Sequence, residues 1–207
     1  MKIIRRQSLL TLLLVSAVVA AWSPAAAEFD VVLDVRPGAV LVNQSGTFKA
    51  TGPATLGDRT IEEIEKVSGL SFFPTIRLGG GIDSVYSYWD LTGTAGIMIN
   101  DPFRSVFFGA DTAWMYKYRK NVSVGPHLGL MYFPSPDWSG DGEIEFDSSW
   151  GALLGAQLTL GYDILFVFSI DYIYTEPFTA TAKEGWESDK ELDLSGVGLQ
   201  FGMRGRF

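Results

Sequence analysis

From Glu143 to Asp163 the chain alternates in character. Ile144, Phe146, Trp150, Ala152, Leu154, Ala156, Leu158, Leu160 and Tyr162 take the even positions. Glu143, Glu145, Asp147, Ser149, Gly151, Gly155, Gln157, Thr159, Gly161 and Asp163 take the odd ones, with Ser148 and Leu153 the exceptions. Successive residues of a strand point to opposite faces, so this pattern predicts one oily face and one small or polar face. A soluble sandwich strand sustains it for roughly 4–8 residues; here it runs for about 20. The same rule recurs along the chain. Phe29, Val31, Leu33 and Val35 alternate with Asp30, Val32, Asp34 and Arg36. Val106, Phe108, Trp114 and Tyr116 alternate with Ser105, Gly109, Asp111, Lys117 and Arg119. Val124, Leu128, Leu130 and Tyr132 oppose Ser123, Gly125, His127 and Gly129. Phe166, Phe168, Ile170, Tyr172 and Tyr174 oppose Ser169, Asp171 and Thr175, and Leu199, Phe201, Met203 and Phe207 oppose Gln200, Arg204 and Arg206.

Eight such segments are predicted, at 29–42, 71–81, 84–99, 104–119, 121–133, 141–162, 164–176 and 190–207. The fold expected is all-β: a transmembrane antiparallel up-and-down β-barrel of eight strands, with both termini at one end. Ten strands is the alternative, with Thr47–Thr51 recruited into an extra hairpin. Connections 43–70, 134–140 and 177–189 fall at one end, and tight turns near Gly81–Asp83, Lys120 and Asp163 at the other; Asn100–Phe103 is short for the long-loop end. On the oily face of 143–163, Trp150 and Tyr162 would stand about 30 Å apart in height on a tilted strand, close to the spacing of aromatic girdles around a lipid band. Thr60–Gly69 breaks the pattern. Thr60 and Glu63 fit a capping box, and Ile61, Ile64 and Val67 share a helical face, so a short helix is predicted in the first external loop, as a lid or packed on the rim.

Composition sharpens this picture. Among 207 residues there are 24 Asp+Glu against 16 Lys+Arg, one His and no Cys. No disulfide framework or Cys-based metal site is possible, and the acidic balance excludes a nucleic-acid surface. Residues 1–27 have a basic start (Lys2, Arg5, Arg6), an apolar run from Leu9 to Ala21, and a small-residue close at Ala25–Ala27. That is the pattern of a cleaved secretory signal peptide, which leaves 28–207 as the barrel. The longest apolar runs beyond it, such as Ile164–Phe168, are too short for a membrane helix.

The closing decapeptide Gly198–Phe207 is similar to the terminal β-signal of bacterial outer-membrane barrels. Leu199, Phe201, Met203 and Phe207 are in phase, and Gly205 stands where an apolar residue is usual. As a pattern the whole of 28–207 resembles the small outer-membrane-protein-A or OmpX class. That resemblance implies residence in the bacterial outer membrane among lipid and lipopolysaccharide and recognition of the signal by the barrel assembly machinery; a monomeric or weakly associated barrel is expected. With Phe207 closing the β-signal, no peptidoglycan-binding domain and no anchoring to the cell wall are expected.

An eight-stranded barrel is just wide enough for side chains to fill. The lumen is expected to hold Asp34, Arg36, Arg77, Asp90, Asp111, Lys117, His127, Gln157, Asp171, Gln200 and Arg204. Charges there must pair or reach water. A packed, salt-bridged plug is the first expectation and a gated or leaky pore the second. His127 is the one candidate for acid–base catalysis near neutral pH, with Ser123, Ser149, Ser169, Asp111 and Asp171 as possible partners. Its mid-strand position argues for a lumen-lining histidine rather than a lipid A-modifying enzyme. Gly79–Gly81 is not a phosphate loop; it suits a strand end or a curve. Asp137, Asp141, Glu143, Glu145 and Asp147 form an acidic rim, either solvated or holding divalent ions. The function expected is a structural or surface-contact role in the envelope, without catalysis or cofactor. The alternative is passive passage of small or apolar solutes.

Overall fold

The computed structural model describes residues 28–43, 46–53, 60–101, 103–139, 144–182, 187–188 and 191–207. The signal segment 1–27 lies outside them, as do Asp141 and Glu143. Sixteen strands follow in chain order. These are β1 (Glu28–Arg36), β2 (Gly38–Val42), β3 (Gly46–Pro53), β4 (Thr60–Val67), β5 (Leu70–Phe72), β6 (Thr75–Asp83), β7 (Ser87–Asn100) and β8 (Phe103–Arg119). They continue as β9 (Val122–Phe133), β10 (Asp137–Trp138), β11 (Ile144–Phe146), β12 (Ser149–Gly161), β13 (Ile164–Thr175), β14 (Ala180–Ala182), β15 (Glu187–Ser188) and β16 (Gly196–Arg206).

The wall is a closed antiparallel ring: β1/β2, β5/β6, β7, β8, β9, β12, β13 and β16, each hydrogen-bonded to the next. Closure comes where β16 returns to the first strand, through Val32↔Arg206 to Val35↔Met203 and Gly38↔Gln200 to Gly196↔Val42. Phe207 and Val31 exchange both backbone bonds, at 2.8 and 3.0 Å. The first two wall strands are each split by a proline, Pro37 and Pro74, which lack the N–H a ladder needs. Their carbonyls still accept, Pro37 from the Phe201 N–H at 3.1 Å and Pro74 from the Ile97 N–H at 3.2 Å, so the ring stays closed.

Period two places the oily residues outside. Leu33 is 42% exposed, Leu130 65% and Leu154 61%, whereas their neighbours in sequence turn inward. In a soluble protein such a belt would be untenable; around a barrel it is the lipid contact. Rings collect at both ends of the belt, Phe29, Tyr86, Tyr116, Tyr118, Tyr162 and Phe207 at the end holding the termini, and Phe108, Tyr132, Trp150 and Tyr174 toward the other. The turns at the terminal end are short: Ser84–Tyr86, Lys120–Asn121 and Tyr162–Asp163. Gly161 enters the last of them with φ +137°, a conformation that L side chains rarely adopt.

Four expectations are corrected. Thr60–Gly69 forms no helix: Thr60–Val67 is β4, paired with β3 from Gly46↔Val67 to Pro53↔Thr60. An isolated helix of that length is marginal, and Thr60, Ile61, Ile64 and Val67 are β-branched, so extended pairing wins. This hairpin is the one anticipated in the ten-stranded alternative, but it forms a separate sheet with β15 and leaves the wall at eight strands. The segment 141–162 is not one strand. It breaks at Asp147–Ser148, so Ile144 and Phe146 pair with β14 and turn inward rather than toward lipid. The last strand starts at Gly196 rather than near residue 190. Gly79–Gly81 lies within β6, laddered on both sides to β1 and β7, and not at a strand end.

Candidate functional site: the barrel interior

The inward face is not uniformly small or polar; it is divided into two storeys. In the half toward the long loops the core is apolar: Val40, Val42, Phe73, Met98, Phe103, Phe107, Met131, Phe133, Leu153 and Ile173 come from the wall. Ile144, Phe146, Phe178, Leu192 and Leu194 come from the connecting segments, with Trp138 and Ala180 packed against them. Rings dominate the contacts. Phe73 stacks on Phe107 with centroids 4.7 Å apart, and Phe107 meets Phe133 at 5.4 Å. Phe178 bridges Phe103 and Phe133 at 5.0 and 5.5 Å. The loops thus fold into the mouth and plug it with hydrocarbon. Nothing in the period-two pattern separates this storey from a polar lumen, because an inward Phe among outward Phe residues reads as a continuous apolar run.

Below it lies the polar storey, where ten of the eleven expected lumen residues are buried. Its centre is Arg204 on β16, whose Nε donates to Asp34 Oδ2 at 2.9 Å and whose Nη1 donates to Asp90 Oδ2 at 2.6 Å. Arg36 shares Asp34, donating from Nε to Oδ1 at 2.9 Å, and both arginines donate to Gln157 Oε1, at 2.8 and 3.3 Å. A second group contains Arg77, which donates to Gln200 Oε1 at 3.0 Å and sits 3.3 Å from Asp111 Oδ2. Asp111 also accepts from Thr94 Oγ1 and stands 3.1 Å from His127 Nε2; His127 Nδ1 faces Asp171 Oδ1 at 3.1 Å.

The eleventh residue, Lys117, is placed differently. It is half-buried at the terminal mouth and pairs with Asp83. Sequence reasoning missed Asp30, Tyr88 and Arg206 as members. Arg206 pairs with Asp30 at 2.9 Å, lies 4.1 Å above the Tyr88 ring, and reaches within 3.5 Å of Asp90. They sit at or within two residues of strand ends, where facing is least constrained. The assembly-signal residues Leu199, Phe201, Met203 and Phe207 all face outward. Of the acidic rim, Asp137, Glu145 and Asp147 are exposed, and among the described residues no group of three His or acidic side chains could hold a metal ion.

Chemically the interior offers little reach to a substrate. Arg36 is 0% exposed, Asp34 0%, His127 1%, Phe107 0% and Met98 0%. Side chains at successive heights are therefore sealed, whereas a continuous aqueous path would leave its lining wet. Two depressions of about 450 and 520 Å³ lie on the lipid-facing wall, one lined by Val124, Leu158, Phe168 and Phe201, the other by Val35, Ile76, Ile97 and Phe108.

No protein-family model matches the chain, and no curated protein matches it. Solved structures do. It is similar to neisserial surface protein A (NspA), with 17% identity over 88% of this chain and 99% of that one, at a TM-score of 0.47. It is also similar to Ail, the attachment invasion locus protein of Yersinia pestis (14%, 86% and 97%, 0.42), and to OprG of Pseudomonas aeruginosa (10%, 86% and 95%, 0.47). The closed eight-stranded ring, the exposed apolar belt and the aromatic girdles establish the fold on their own: this chain is an antiparallel eight-stranded β-barrel whose outer surface is suited to lipid.

Proposed function

We propose that this barrel is a non-conducting, non-catalytic envelope protein that acts as a rigid wall element and presents its long-loop end for contact. The observation that carries this reading is the two-storey interior, with an aromatic plug above and an ion-paired network below. Passage of even a small solute would require both to open. Catalysis is disfavoured because His127 is enclosed between two carboxylates and, among the described residues, its side-chain partners are Asp111 and Asp171 rather than a serine. On the same reading the protein is a monomer in lipid and lipopolysaccharide, and its C-terminal Leu199, Phe201, Met203 and Phe207 serve assembly. Planar-bilayer recording of the refolded protein tests the proposal. A flat baseline is expected; reproducible single-channel steps would replace it with solute passage. Mass spectrometry of lipid A from cells with and without the protein should show no difference.

A further inference from the structure

Asp111, His127 and Asp171 form a group whose protons are constrained by geometry. Both ring nitrogens of His127 face a carboxylate oxygen at 3.1 Å. A neutral imidazole has one N–H and one lone pair, and an ionised carboxylate has only lone pairs. Either neutral tautomer would therefore set one lone pair against another at hydrogen-bonding distance. An imidazolium donates to both sides. The backbone is built for this contact: Gly155 stands in register between His127 and Asp171, and a Cβ there would lie 2.2 Å from Asp171 Oδ1.

The surroundings agree. Asp111 has Arg77 of β6 beside it, and Arg36 of β1 and Arg204 of β16 are taken up by Asp34 and Asp90. Arg206 of β16 is paired with Asp30 of β1, and the uncharged Gln157 of β12 and Gln200 of β16 stand among these groups. Asp171 of β13 has only His127: its Oδ1 meets the ring and its Oδ2 has no hydrogen-bond partner among the described residues. The buried residues include four aspartates (Asp34, Asp90, Asp111, Asp171) and three arginines (Arg36, Arg77, Arg204). A charged His127 makes them equal, and an uncompensated buried carboxylate is costly.

We propose that His127 is the fourth buried cation of the lumen, its imidazolium tying β8 to β13 through Asp111 and Asp171.

His127 is the only histidine in the chain, so ¹⁵N-histidine labelling of the refolded protein in micelles reports this ring alone. At pH 7 both ring nitrogens are expected to carry protons. In Asp171→Asn, whose amide can donate to Nδ1, only Nε2 should carry one. A bare Nδ1 in the wild type at pH 7 overturns the proposal. Urea unfolding gives a second readout. His127→Gln should lower the folding constant on the order of 100-fold by stranding Asp171, and adding Asp171→Asn should restore most of that loss. Equal losses in single and double variants would mean the ring carries no charge. Should His127→Gln not fold, the spectra of the wild type and Asp171→Asn decide alone.

Discussion

Arg204 shows how one side chain holds several strands. Rooted on β16, it bonds to Asp34 on β1, Asp90 on β7 and Gln157 on β12, all away from water. Guanidinium suits this work because its donors diverge in a plane and stay charged. Removing one partner of a buried pair costs more than the pair contributed, since the stranded charge remains. Arg204→Met should therefore destabilise the barrel by about 3–5 kcal/mol, read as a shift of the urea unfolding transition in lipid or micelles. Because the network is sealed, 1 M salt should barely change that difference, although salt screens exposed pairs. An effect below about 1 kcal/mol, typical of exposed pairs, would mean that water enters the network.

Among elements, the wall strands and the loop strands differ in what holds them. Each wall strand has ladders on both sides, and β8 alone is registered to β7 over Asn100↔Phe103 to Ser87↔Tyr116. Among the described residues, the β3–β4 hairpin pairs with itself and with the two residues of β15. Replacing 46–67 by a short turn should accordingly leave the heat-modifiable folded band on a gel intact, and loss of that band would show that the hairpin supports the wall. The wall strands were legible in the sequence because lipid on one side and a narrow lumen on the other impose a strict period of two. The hairpin was legible only in part, since Thr47–Thr51 read as one arm of an extra hairpin but 60–69 read as a helix. Its apolar spacing of three at Ile61, Ile64 and Val67 mimics a helix face, and only its pairing with Gly46–Pro53 settles the matter.

At the scale of the molecule the interior works as two seals in series. The aromatic seal depends on residues brought from the loops to the wall, such as Phe178 against Phe103 and Phe133. The ionic seal depends on wall residues alone. Phe107→Ala should cost about 3–5 kcal/mol as a buried cavity. Even so, Phe107→Ala combined with Phe133→Ala should remain silent in a planar bilayer, because the arginine–aspartate layer still closes the lumen. Single-channel steps in that double variant would show that the aromatic storey is the sole barrier.

Alternation by itself determined that this chain is a barrel, which side of each strand meets lipid, and which polar residues enter the lumen. Those are consequences of strand geometry acting on neighbours in sequence, and Asp34, Asp90, Asp111, His127, Asp171 and Arg204 were all readable in that way. What alternation could not determine is who meets whom across the lumen. Arg204 and Asp34 are 170 residues apart in sequence, and their contact follows from how far each strand is staggered when the ring closes, which no single strand encodes. The apolar storey was hidden for a related reason: Ile144 and Phe146 belong inside only because the strand breaks at Asp147–Ser148, and folding of the loops over the mouth then decides which apolar residues face lipid and which face each other.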